Sequence, residues 1–272
     1  MDASSRAALV VSRERLAATT RGAAGPGLLA LADELFAVAR LLEGQLALRR
    51  ALSDASSKPV DRAGLVRSIF GGRVSAATVD LVETVARQRW SRPLDLVGAV
   101  EALATDAGLE AAEARGELEG VEDELFRFGR IVAGDPELSR ILSDDRAPVE
   151  GKAALLDRLL SGRVSPVTEQ LLRNSLTVRH VGNAENRIER LSASASARRG
   201  RSVAYVTTAV PLTAAQERRL QDVLGRIYGR TIGLQVTVDP SVLGGLVVRV
   251  GDEVVDGSVA NRLEAASRRL AG

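Results

Sequence analysis

The chain has 272 residues, 45% hydrophobic and 26% charged, with 37 Lys and Arg against 35 Asp and Glu for a formal net charge of +2. That balance suits a soluble protein with ordinary cores and gives no electrostatic ground for nucleic-acid binding. The lack of cysteine excludes disulfides, thiolate metal sites and cysteine nucleophiles, and a single histidine, His180, excludes multi-histidine metal sites and most histidine relays.

His180 itself reads as a surface or helix-cap residue. The basic set is all arginine except Lys58 and Lys152, and neither stands out as a Schiff-base lysine. The aromatic residues Phe36, Phe70, Trp90, Phe126, Phe128, Tyr205 and Tyr228 fall mostly at core-like positions, too sparse for a base-stacking surface. At the amino end, MDASSRAALVVSRERLAATT has an apolar run too short for a signal core or a membrane span, so membrane association has to go through a partner.

From residue 33 the chain repeats itself. DELF at 33–36 recurs at 123–126 and GRVS at 72–75 recurs at 162–165; aligned without a gap, 33–81 and 123–171 share 19 identities in 49 positions. Unrelated segments of this composition would share roughly four or five, so the pattern is a tandem duplication of a helical unit. Leu31, Leu35, Val38 and Leu42 in the first copy and Val121, Leu125, Phe128 and Val132 in the second have one helical spacing and bury one stripe. Ser75 and Ser165 open matching helices, the second with Pro166 in its first turn and Val167, Leu171 and Leu172 facing inward. After Pro93 no proline interrupts the stretch that leads to the second DELF, which predicts one or two long helices between the copies and little strand before about residue 200.

SASASARRGR at 192–201 is small, polar and basic, and reads as a helix end or linker with Arg198, Arg199 and Arg201 solvated, the alternative for these arginines being an anionic contact. VAYVTTAV at 203–210 then begins a β-rich module. Leu212 is placed as a hydrophobic staple, Thr213 and Gln216 as a capping box, and Leu220, Leu224 and Ile227 as the apolar face of the helix that follows. TIGLQVTVDP alternates as a strand ended by Pro240. LGGLVVRVGDEVVDGSVANRL at 243–263 lacks both GxxxxGK[ST] and GxGxxG, so it is not a phosphate loop. It reads as a β-hairpin with the left-handed turn at Gly251 or its neighbours. Asp256, Gly257 and Ser258 then cap a helix faced by Val259, Leu263, Ala266 and Leu270. Asp252, Glu253 and Asp256 are explained by turn and cap chemistry without a metal, and no catalytic constellation remains.

The fold expected is mainly α: tandem duplicated helical bundles over 1–100 and 101–197, then a small α/β C-terminal domain with a β-hairpin over 198–272. Through Gly244, Gly245, Gly251, Asp252, Asp256, Gly257, Ser258 and Leu263 the last thirty or so residues resemble the carboxyl-terminal signature of the delta subunit family of rotary ATP synthases, which includes the oligomycin-sensitivity-conferring protein. TTAVPLT at 207–213 resembles the family's strand-to-helix entry and VEDELFRFGRIVAGDPELSRILSD at 121–144 its second helix and the turn after it, so the likeness runs from about 101 to the end.

The resemblance implies a six-helix bundle and a smaller α/β module with no chemistry, cofactor or metal of their own. It implies a peripheral-stalk connector at the cytoplasmic face of the cell membrane. The bundle would hold the amino-terminal helix of an alpha subunit and the last module the ends of the b subunits, against the torque of the rotor. The chain departs from the family in having two bundles. The second keeps DPELSRILSD and directly precedes the last module, so the groove for the alpha helix is expected there. Its walls would be the helices around 101–118 and 166–180, with Leu171, Leu172 and Leu176 either lining it or lying in the core. The alternative is a free-standing adaptor built from tandem bundles; a nucleic-acid binder would instead show strongly salt-sensitive binding.

Overall fold

The computed structural model describes residues 1–256 except 145, 178–182, 202, 229–231, 241, 243 and 251–252. Contacts divide the chain into two compact units, Met1–Ala195 and Ser196–Gly272. The first is helical: α1 (Ala3–Thr19), α2 (Gly25–Gly44), α3 (Leu46–Ser53), α4 (Pro59–Phe70), α5 (Ala76–Arg87), α6 (Pro93–Ala114), α7 (Leu118–Gly134), α8 (Pro136–Ser143), α9 (Val149–Leu160), α10 (Pro166–Thr177) and α11 (Ala184–Arg201). Short polar side chains set the starts. Asp2 accepts from the Ser5 N–H at 3.0 Å, Asp135 from Glu137 and Leu138 at 3.0 Å, and Ser75 and Ser165 from the Thr78 and Thr168 N–H groups at 3.2 Å.

The duplication is structural as well as sequential. Helices at 46–53, 59–70 and 76–87 recur at 136–143, 149–160 and 166–177. Gly72 and Gly162 take the same left-handed φ, 73° and 72°, where a side chain would be strained. Glu34 and Glu124 repeat one buttress: each carboxylate accepts from the N–H and hydroxyl of the serine that caps the fifth helix of its copy, and from the threonine hydroxyl three residues on, at 2.5 Å in both. Burial alone would raise the Glu34 pKa, but these hydrogen bonds outweigh it and hold the group below its ordinary value. The predicted apolar stripes, Leu31 to Leu42 and Val121 to Val132, are buried in both copies.

One apolar core runs through the whole unit, from Ala8 to Ala195. Its axis is α6, 22 residues long and buried on most sides, which stands to the second copy as α1 stands to the first. The expected division at 100/101 therefore falls inside a continuous helix. Phe36, Phe70, Trp90 and Phe128 are core residues, but Phe126 is 60% exposed and Tyr205 40%, so the reading of the rings as core fails for those two. SASASARRGR is helical, carried by α11, whose Leu191 and Ala195 are buried; of the two readings of this stretch, the helix end is the one found.

The second unit has β1 (Val203–Thr208), α12 (Ala214–Tyr228), β2 (Gly233–Val238), β3 (Leu246–Val250) and β4 (Glu253–Asp256) in a sheet of order β2-β1-β3-β4. β1 and β2 are parallel, so α12 is their crossover; β3 is antiparallel to both β1 and β4. The capping box forms as expected, with the Thr213 N–H donating to Gln216 Oε1 at 2.8 Å and the Gln216 N–H to Thr213 Oγ1 at 3.3 Å. Leu212, Leu220, Leu224 and Tyr228 pack with Ala204, Val206, Val248 and Val250. Ile227, expected on this face, is 68% exposed; Tyr228, four residues beyond Leu224, takes the place.

Candidate partner interface

Among the described residues no group of three or more His, Cys, Asp or Glu could hold a metal ion, and no helix is long and apolar enough to cross a membrane. Lys152 is buried and its ammonium donates to the Leu142 carbonyl at 3.1 Å, at the carboxyl end of α8, where a cation is stabilised by the helix dipole. Arg62, its counterpart in the first copy, donates to the Arg87 carbonyl at the end of α5, also at 3.1 Å. Both cations hold helix ends.

Of the signature residues, Gly244 and Gly245 have φ of 82° and 80°, which glycine alone adopts without strain. The left-handed turn therefore exists before β3, whereas Gly251 and Asp252 lie outside the described residues. Asp256 ends β4, paired with Val247. Gly257, Ser258, Leu263 and the expected helix after them are also outside the described residues, as is His180.

Leu171, Leu172 and Leu176 line no open groove. They are 1%, 0% and 0% exposed, and their first-copy counterparts Leu81, Val82 and Ala86 are as deeply buried, so these are core positions of each copy; α2 of the first copy packs on α6 and α10 beside Leu171. Gly108 on α6 shows how close the three helices come: a Cβ there would lie 2.9 Å from Leu171 Cδ2 and 3.8 Å from Ala32 Cβ. Polar side chains fix the seat. Gln170 Nε2 donates to the Leu29 carbonyl at 2.9 Å, Asn174 Nδ2 donates to Asp33 Oδ1 at 2.9 Å, and Arg40 Nη1 donates to Asn174 Oδ1 at 2.7 Å. Burial lowers the pKa of Arg40, with Asp33 opposing the shift.

Two other surfaces stand out among the described residues. A cleft of about 460 Å³ at the Met1 end of α6 is lined by Leu94, Gly98 and Leu191, and part of its charged rim is paired within itself by Arg13–Asp106 at 2.8 Å and Arg92–Asp95 at 3.1 Å. In the second unit no described helix packs on the sheet face away from α12. Tyr205 there lies beneath the Arg249 guanidinium, 5.0 Å from ring centroid to cation, and Val254 pairs beside Arg249 on the β4 edge, 58% exposed. Among the described residues β4 is an edge strand, and apolar area beside such an edge suits contact with another chain.

Comparison with known proteins covers the whole chain. The family model described as ATP synthase delta (OSCP) subunit matches residues 100–270. ATP synthase subunit delta of Parafrankia sp. (strain EAN1pec) is 46% identical over 277 residues, spanning 99% of both chains. That of Streptomyces griseus subsp. griseus is 46% identical over 272 residues and all of both chains. Among solved structures, a chain of the Toxoplasma gondii mitochondrial ATP synthase hexamer is similar over 62% of this chain and 95% of its own, with a TM-score of 0.33 and 20% identity. The two bacterial relatives match through residues 1–99 as well, which the family model leaves out.

Proposed function

The chain belongs to the ATP synthase delta (OSCP) subunit family, and from that premise we propose that it is the non-catalytic connector of the peripheral stalk, joining the catalytic head to the stator. In this reading the helical unit holds the amino-terminal helix of an alpha subunit, and the α/β unit meets the ends of the b subunits. The connector keeps the head from turning with the rotor and sits peripherally at the cytoplasmic face of the membrane through these partners.

The observation that carries the reading is the identity of 46% along the full length of bacterial delta subunits. The physical design agrees with the task. Torque has to pass through a connector without deforming it, and a shared core along a continuous α6, with part-buried polar bonds locking α2 to α10, is stiffer than two bundles on a linker. The test is recovery of the tagged chain from native membranes. Stoichiometric head and b subunits that leave when the stalk is stripped are the expected result; a soluble chain with no such subunits attached would refute it.

A further inference from the structure

The outward face of α2 is repeated on α7 and left bare there. In the first copy Leu29, Asp33, Phe36 and Arg40, spaced i, i+4, i+7 and i+11, form one stripe that the second copy covers. The Leu29 carbonyl accepts from Gln170, while Asp33 and Arg40 share Asn174, both partners standing on α10. Phe36 lines the same cleft as Ser175 of α10 and Leu191 of α11 and is 2% exposed. Ninety residues on, the stripe is Glu119, Asp123, Phe126 and Arg130. Asp, Phe and Arg are retained, yet all four positions are exposed, Phe126 to 60%. A single exposed phenylalanine is ordinary surface. This one keeps the charged neighbours and the spacing of a face that the same chain shows docked.

We propose that this α7 face is a docking surface of its own, taken by a helix of another subunit of the assembly; the inference rests on the reading above that the chain works within a stalk. The docked stripe of α2 specifies the occupant. α10 offers it two amide side chains one turn apart, Gln170 donating to a backbone carbonyl and Asn174 donating to the aspartate while accepting from the arginine. The occupant of α7 therefore carries an amide pair at i and i+4, the second directed at Asp123 and Arg130, with a small side chain beside it as Ser175 stands beside Asn174. Asp123 is engaged meanwhile by Arg127, where the first copy has Ala37; the two side chains are 50% and 71% exposed, and so solvated a pair yields to a partner at little cost. Among the described residues no third bundle supplies the seat, because the chain turns to strands at Val203. A second copy of the chain does not supply it either. The first-copy counterparts of Gln170, Asn174 and Ala104 are Asp80, Thr84 and Glu14, whose carboxylates repel Glu119 and Asp123.

The chain has no cysteine, so Phe126→Cys places a single thiol on this face. The full-length variant, labelled there with benzophenone maleimide to restore an aromatic group, is returned to membranes stripped of the native chain and irradiated. The expected adduct is with one helical segment of another subunit that carries two amide side chains four residues apart. Adding Asp123→Ala or Arg130→Ala, both at exposed positions, should lower its yield about fivefold or more with circular dichroism unchanged. Ala154→Cys, exposed on α9 and labelled in the same way, sets the background. The inference is overturned by a yield no higher than that background, by an adduct with the chain's own α/β unit or with a segment lacking the amide pair, or by a yield that neither alanine variant changes. A labelled chain that does not rejoin the membranes with head subunits overturns the connector reading, and this inference with it.

Discussion

Leu171→Ala separates a groove residue from a core residue. Leu171 is 1% exposed at the junction of α2, α6 and α10. Removing three carbons forfeits about 2.4 kcal/mol at ~0.8 kcal/mol each. The facing Gly108 has no side chain to relax into the space, and the cavity term brings the loss to about 3–4 kcal/mol. Urea unfolding followed by fluorescence reads it, because Trp90 is the single tryptophan, is buried, and belongs to the first copy while Leu171 belongs to the second. With a slope of about 2–3 kcal/mol/M for a unit of this size, the midpoint should fall by about 1–2 M. Two results would refute the reasoning. An unchanged midpoint would mean that Leu171 is not in the core. A loss seen by circular dichroism but not by Trp90 would mean that the two copies do not unfold as one body.

Three further outcomes are expected. Glu34 is held below its ordinary pKa of 4.5, so its stabilisation is complete above that value and is lost as pH falls through the lower folded value. Glu34→Gln should flatten the decline of the urea midpoint below pH 4.5, and an unaltered acid slope counts against the buttress. Gly72→Ala and Gly162→Ala should each cost about 1–2 kcal/mol, since both sit at φ near +70°; thermal midpoints that differ strongly between them would show that the two turns are not equivalent. Thr213→Ala removes half of the capping box and should cost about 1 kcal/mol, read as faster amide exchange in the first turn of α12. Unchanged exchange there would leave the cap without energetic weight.

The copies were visible in the sequence where their residues do the same job. Within DELF, Leu35 and Leu125 fill equivalent core positions and Glu34 and Glu124 the same buttress, whereas Phe36 is core and its match Phe126 is exposed. GRVS repeats because Gly72 and Gly162 make one turn and Ser75 and Ser165 one cap. The pairing of α1 with α6 was not legible, since only two positions match. Burial explains the divergence: α6 packs on both copies and needs apolar residues nearly all round, whereas α1 meets solvent on one side and carries Arg13, Glu14 and Arg15. Nor did the sequence separate groove from core. Leu171 and Leu172 read equally well as groove or core, because periodicity identifies an apolar face and not the helix that covers it.

The sequence by itself determined the helical repeat, the caps and turns, the change to strands near residue 203 and the family likeness. All of these depend on residues near one another in the chain or on direct identity between segments. How the two copies join was decided only by the tertiary structure. Their union depends on α2 lying against α6 and α10, a contact fixed by Asn174 with Asp33 and Arg40 across more than a hundred residues of chain. No local pattern records it.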